Sequence, residues 1–416
     1  MSLLRRPRRS RSFPIMVAAG GMAGLLAACS VASEESGNSR PGSCTTPGVS
    51  PTQIQLGAAI DDTGPGAATF GAFRSGVDAR LGVANQAGGV NGRAVVYDWE
   101  DARSDPALNQ KAVEHLIETK NTSFGIMQGS IVALGSADYT AERDIPVIGI
   151  GFDSSWNSHE NMFSWTYYLS DGPATSTWGE FVKSQGGTRA ALIGLSMNEA
   201  SLQYQRQLTA SLASAGVQVV YTSSTAGATS FGRLAEEMKN AGVDTIAGSV
   251  TPDVAAQLLP AVHAAGLAPK VVLLPSGYDS RLLQELGPQL AGSVIYLDFA
   301  PFELNLPVHQ LLRSSMAKYA PETQPSAQQS VIYGWLAADL FLRGLEAAGE
   351  CPSRESFISA LRGIHDYDAD GLLPVKIDLA KNKGQLSACY EFVRVSLDGS
   401  SFIPLSPSVR CGTRLH

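Results

Sequence analysis

The chain has 416 residues, 44% hydrophobic and 17% charged, with 31 Lys+Arg against 38 Asp+Glu and a formal charge of −7. That acidity argues against a nucleic-acid surface and against broad attraction to anionic lipid headgroups. A length of this order exceeds what one hydrophobic core organises and predicts more than one folded unit.

The first twelve residues carry Arg5, Arg6, Arg8, Arg9 and Arg11 and no acid, and an apolar run from Phe13 to Ala28 follows, ending Leu26-Ala27-Ala28-Cys29. This pattern predicts a lipoprotein signal peptide over residues 1–28, with the Cys29 thiol as acceptor of the lipid. A transmembrane anchor fits less well, because the run falls short of the roughly 20 apolar residues that a span needs. The Arg8-Arg9 pair leaves the export route open between the general and the twin-arginine pathways. Residues 29–52 then read as a lipidated flexible tether, rich in Ser, Gly, Glu and Asn from Ser30 to Ser43. Removal of residues 1–28 leaves 26 basic side chains against 38 acidic ones, a formal charge of −12.

In Gln53-Ile54-Gln55-Leu56-Gly57-Ala58-Ala59-Ile60 the apolar positions alternate, as in a strand entering a buried sheet. Asp61 to Pro65 break it, and Phe73, Val77, Leu81 and Ala84 recur at helical spacing. Gly88 and Gly89 stop that helix, Asn91-Gly92 turns the chain, and Arg93 to Trp99 forms a second strand. Ser104 or Asp105 caps the next helix, with Pro106 in its first turn. This is a βαβ unit, and its crossover is expected to be right-handed.

Short β-rich runs continue at 122–127, 146–151, 189–195, 217–222, 245–249, 270–275 and 293–299. Helical patterns such as Gln203 to Ala215 and Thr229 to Ala241 separate them. The alternation predicts a doubly wound α/β fold. A single sheet of a dozen strands would be unusual, so two sheets in two lobes are expected.

The spaced motifs Thr63-Gly64-Pro65, Phe70-Gly71, Gly76, Ala87 to Arg93, Glu100-Asp101, Ser104-Asp105-Pro106, Gly129-Ser130 and Asp144-Ile145-Pro146-Val147-Ile148-Gly149 resemble one family. It is the type I periplasmic, or extracellular, solute-binding proteins of the leucine/isoleucine/valine-binding class, which serve ABC importers. The resemblance runs from about Gln53 to about Pro404. It implies a two-lobe fold with three hinge crossings, near Leu169, Asp298 and Tyr390. Lobe one would comprise 53–168 plus 299–389, and lobe two 169–298 plus 390–410. It further implies a small-molecule ligand between the lobes, permease and ATPase subunits on other chains, an extracytoplasmic location, a monomer and no cofactor.

The best site candidate in the residues themselves is Gly129-Ser130. It follows the run Phe124 to Met127 and precedes a helix expected from Ile131 to Arg143, where exposed N–H groups offer a polar ligand oxygen or carboxylate a place to dock. The alternative makes Ser130 only an N-cap. The resemblance places Gly151 and Asp153 beside it, with Phe70 as an aromatic ligand contact. Two positions depart from the amino acid binders. Asp153 stands where they carry a hydroxyl, and Ser276 stands where they carry the acid that holds the ligand ammonium. Asp253 could supply that acid, or simply cap a helix. Phe152, Trp156, Trp165, Tyr167 and Tyr168 lie in segments expected near the cleft, with Tyr333 and Gln329 as weaker contacts and Tyr278 weaker still.

Cys44, Cys351, Cys389 and Cys411 form an even set that predicts two disulfides in an oxidising compartment. The preferred pairing is Cys351 with Cys389, closing the excursion between them, and Cys44 with Cys411, tying the chain ends. No Cys-x-x-Cys spacing supports zinc. Asp366-Tyr367-Asp368-Ala369-Asp370-Gly371 opens like an EF-hand loop, but Ile377 takes the place of its bidentate Glu, so a turn before a strand from Leu372 to Val375 is expected. The six histidines show no metal spacing, and neither a Gly-x-Ser-x-Gly nor a phosphate-binding glycine motif occurs, so no enzyme is indicated. The rival readings are a sensor that uses the same fold without transport and a secreted hydrolase on an α/β scaffold.

Overall fold

The computed structural model describes residues 44–119, 122–168, 172–194, 199–225 and 230–415. The signal peptide, Cys29, the tether before residue 44 and Leu169 lie outside the described residues. The first sheet is five-stranded and wholly parallel, in the order β2-β1-β3-β4-β5. Its strands are β1 (Gln53–Ile60), β2 (Ala94–Asp101), β3 (Ile126–Gly129), β4 (Val147–Gly151) and β5 (Met162–Tyr167).

The second sheet is seven-stranded, in the order β12-β11-β10-β9-β8-β6-β7. Its members are β6 (Arg189–Gly194), β7 (Gln218–Ser224), β8 (Thr245–Ala247), β9 (Val271–Leu274), β10 (Val294–Leu297), β11 (Cys389–Val395) and β12 (Phe402–Cys411). β6 to β10 run parallel, and β11 and β12 close the edge antiparallel. Among the described residues no helix is long and apolar enough to cross a membrane.

Local signals hold where backbone chemistry decides. Asp105 is the N-cap of the helix Pro106–Glu114, accepting from Leu108 N at 2.9 Å, while Ser104 Oγ instead accepts from Gly66 N at 2.8 Å. Gly89 has φ +71°, and a Cβ there would meet the Arg93 carbonyl oxygen at 1.9 Å, so the turn into β2 requires glycine. Two elements differ from expectation. β5 was not among the expected strands although Phe163, Trp165 and Tyr167 alternate with Ser164 and Thr166, and the fold buries both of its faces. Leu372 to Val375, expected as a strand, forms a turn bracketed by the Tyr367–Ile377 bridge.

The long helix Gln329–Ala347 is buried nearly throughout and crosses the helix Phe73–Gln86. Glycines let the two backbones touch: a Cβ on Gly334 would lie 1.8 Å from the Phe73 carbonyl oxygen, and one on Gly76 would lie 2.0 Å from that of Val331. This crossing sets Tyr333 beside Phe70.

The disulfides are Cys44–Cys351, with Cα atoms 5.4 Å apart, and Cys389–Cys411, at 4.0 Å. The expected pairing is therefore corrected. Antiparallel register places Cys389 directly opposite Cys411. The chain after Cys351 leaves through the helix Arg354–Arg362 and passes β5, where Asn382 Nδ2 donates to the Ser164 carbonyl at 2.8 Å, so that Cys389 ends far along the path. Cys351 instead meets Cys44 beside Arg93, which donates to the carbonyls of Glu350 (2.7 Å) and Ser50 (2.8 Å).

Candidate functional site

Past the C-terminal ends of the parallel strands, a cavity of about 690 Å³, its open mouth included, is lined from both sheets. The first sheet and its helices supply Thr69, Phe152 after β4, Tyr168 after β5, and Gln329 and Tyr333, one turn apart at the start of the long helix. The second supplies Ser201 and Tyr204 from the helix Glu199–Ser214, Ser249 after β8, and Pro275 and Ser276 after β9. None of these lining side chains is charged.

The aromatic rings support one another. Phe152 stacks on Tyr168 with centroids 4.7 Å apart and planes 8° from parallel. Phe70, only 1% exposed, stands edge-on to Phe152 at 5.8 Å and tilted to Tyr333 at 6.4 Å, so it backs the lining. The Tyr204 hydroxyl lies 2.7 Å from that of Tyr296, which fixes its ring.

Behind the tyrosines sits Asp298, one residue beyond β10 and 5% exposed. Its Oδ2 accepts from Trp165 Nε1 at 3.1 Å, and its Oδ1 faces the hydroxyls of Tyr168 (3.5 Å) and Tyr333 (3.4 Å). Those hydroxyls are 2.9 Å from each other, and Gln329 Nε2 donates to Tyr333. Burial pushes the Asp298 carboxyl up to about 6, although these hydrogen bonds pull the other way. Burial, reinforced by the charge of Asp298, holds both phenols well above their usual range.

Of the residues singled out in the sequence, Phe152, Tyr168, Ser276, Gln329 and Tyr333 line the cavity, with Phe70 behind them. Gly129, Ser130, Gly151, Asp153 and Asp253 do not. The helix after Ser130 begins only at Leu134, and the N–H groups before it are sealed by the fully buried Asp61. Asp61 accepts from Ser130 Oγ (2.9 Å), Ser104 N (2.8 Å) and Ile131 N (3.0 Å), so a carboxylate of the chain itself takes the place offered to a ligand anion. Asp61→Ala strips three donors, one buried and two part-buried, of their acceptor and should cost about 2 to 3 kcal/mol of stability. Urea unfolding checks this, and an unchanged midpoint would refute it.

Asp153 is likewise engaged. Its Oδ2 accepts from Leu134 N at 2.9 Å and its Oδ1 from Ser155 N at 3.0 Å, and burial raises its carboxyl despite those bonds. A Cβ at Gly151 would meet the Tyr167 ring at 2.7 Å, and one at Gly129 would meet Phe73 at 3.0 Å, so both glycines serve close packing. Asp253 is exposed in the first turn of the helix Pro252–Ala264.

Thr69, Ser201, Tyr204 and Ser249 were not legible as lining residues. Tyr204 shares its spacing with Leu208 and Leu212, which marks an ordinary core stripe. Asp298 carried a signal of another kind, an acid closing the apolar run Val294 to Leu297.

Residues 53–400 match the family profile described as periplasmic binding protein. A search of curated proteins by sequence yields no significant match. Among solved structures, the chain is similar to a fatty acid ABC transporter substrate-binding protein from Thermomonospora curvata, at 19% identity over 88% of this chain and 94% of that one, with a TM-score of 0.72. It is also similar to a solute-binding protein of an ABC transporter from Rhodopseudomonas palustris in complex with p-hydroxybenzoic acid, at 17% identity, 86% and 97% coverage and a TM-score of 0.71. The branched-chain amino acid transporter substrate binding protein LivJ from Streptococcus pneumoniae, in complex with isoleucine, gives 13% identity, 85% and 100% coverage and a TM-score of 0.68. Likeness at such identities speaks for the fold.

Proposed function

Because the chain belongs to the periplasmic binding protein family, we propose that it is the extracytoplasmic ligand-binding component of an ABC-type importer, holding a small amphipathic solute between two lobes. The observation that carries this reading is the cavity lined from both sheets by Phe152, Tyr168, Tyr204 and Tyr333 together with short hydroxyl side chains. Rings give a ligand broad apolar contact at little entropic cost, and the hydroxyls orient it. Lining from both sides couples occupancy to closure about the crossings near residues 169, 298 and 390. Permease and ATPase subunits on other chains would complete transport. A monomer held to the outer membrane face through a lipid on Cys29 would deliver the solute to them. The compounds associated with the similar structures, a fatty acid, p-hydroxybenzoic acid and isoleucine, span the same amphipathic range.

Calorimetric titration of the protein, unfolded and refolded to strip bound solute, against aromatic acids, fatty acids, amines and amino acids tests the reading. A ligand found in this way should bind Phe152→Ala and Tyr168→Ala about tenfold or more weakly and Asp253→Ala with unchanged affinity. Undiminished binding by both cavity variants would overturn this site. Cys29→Ser should move the protein from the membrane fraction to the soluble one.

A further inference from the structure

Among the described residues the lining offers no lysine, arginine or histidine to pair with a ligand carboxylate, yet a carboxylate lies one hydroxyl layer behind it. The hydrogen-bond partners of Asp298 among the described residues are uncharged: the Trp165 indole and the Tyr168 and Tyr333 hydroxyls. Burial of an anion without a cation is costly, and the cost is offset when a cation arrives beside it. The two hydroxyls lie 2.9 Å apart and within 3.5 Å of Asp298 Oδ1, so they join the cavity wall to the carboxylate, whose charge makes that wall negative. The walls are rings, whose faces attract cations, and most strongly where water is excluded.

We propose that the cleft is built for an organic cation, an ammonium group carrying apolar substituents, held against the Phe152, Tyr168, Tyr204 and Tyr333 rings with Asp298 as its buried counter-charge. This rests on the solute-binding reading above and narrows it to a ligand charge. Asp298, with its carboxyl pushed up to about 6, is ionised at neutral pH and supplies the charge. Tyr168 and Tyr333 join the two parts of the site, since each lines the cavity and touches the carboxylate.

The test is titration of the refolded protein with choline and benzyltrimethylammonium as cations, benzyl alcohol as a neutral probe, benzoate and octanoate as anions, and leucine as a zwitterion. Heat and the emission of Trp165, which donates to Asp298, report binding. The expected result is binding of one or both cations, weakened about tenfold or more by Asp298→Asn while any benzyl alcohol binding is unchanged. Tyr168→Phe, which keeps the ring and removes the linking hydroxyl, should weaken the cation by a smaller factor and guards against a folding defect in the first variant. Binding of benzoate, octanoate or leucine with the cations silent would overturn the cation assignment and leave the solute-binding reading standing. Cation binding indifferent to both variants would also overturn it, and silence of every probe would overturn both readings.

Discussion

Replacing Cys44 and Cys351 together by serine should lower the unfolding free energy by about 4 kcal/mol, against about 3 kcal/mol for the same change at Cys389 and Cys411. The first bridge spans 307 residues and the second 22. A cross-link restricts the unfolded chain in proportion to the logarithm of the loop it closes, so the longer loop gains more. The full difference is not expected, because Arg93 still holds Glu350 and Ser50 when the first bridge is gone. The second bridge only reinforces a ladder already paired from Cys389 to Val395. Urea unfolding of both double variants measures the order of the two costs, and a peptide map without reductant reads the pairing directly. Peptides joining Cys351 to Cys389 would sink the argument, as would a reversed order of costs.

Glu391→Gln should make the protein more stable at pH 8 and leave it nearly unchanged at pH 5. Glu391 lies on β11 between Leu297 of β10 and Val409 of β12, 2% exposed, and among the described residues its Oε2 has no hydrogen-bond partner. Burial alone pushes its carboxyl from 4.5 up to about 7. A carboxyl whose folded-state pKa is raised is easier to ionise in the unfolded chain, so ionisation opposes folding. The penalty is absent well below pH 4.5, grows from there to about pH 7, and is constant above, reaching at most about 3 kcal/mol. Glutamine removes the charge and leaves an unpaired amide, which trims the net gain at pH 8 to about 1 to 2 kcal/mol. Asp298 contributes a slope of the same sign in both proteins, so the readout is the difference between them at the two pH values. A difference that does not change with pH would show that Glu391 keeps an ordinary carboxyl pKa in the folded state, as it would if water reached it.

How much was legible in the sequence follows from the range of the forces involved. The alternation from Ile54 to Ile60, the stop at Gly88 and Gly89, and the Asp105–Pro106 helix start are settled by neighbours a few residues away, and the structure repeats them. Met162 to Tyr167 alternates Phe163, Trp165 and Tyr167 with Ser164 and Thr166, but its polar positions mark no solvent side, because the fold buries both faces. Ser130 and Asp153 stand out as polar residues at strand ends, but whether such a residue meets a ligand depends on what else reaches it. Here Asp61, from 69 positions earlier, and the Leu134 N–H reach them first.

The chain by itself determined its α/β alternation, its acidic surface and the family motifs from Thr63 to Gly149, because these follow from local backbone preference and composition. Only the tertiary structure decided which side chains form the cleft, that Asp298 lies behind Tyr168 and Tyr333, and that Cys44 pairs with Cys351. Each of those is a meeting of segments more than a hundred residues apart, or a choice among equivalent partners. Such meetings are set by sheet order and helix crossing, which no short stretch of sequence encodes.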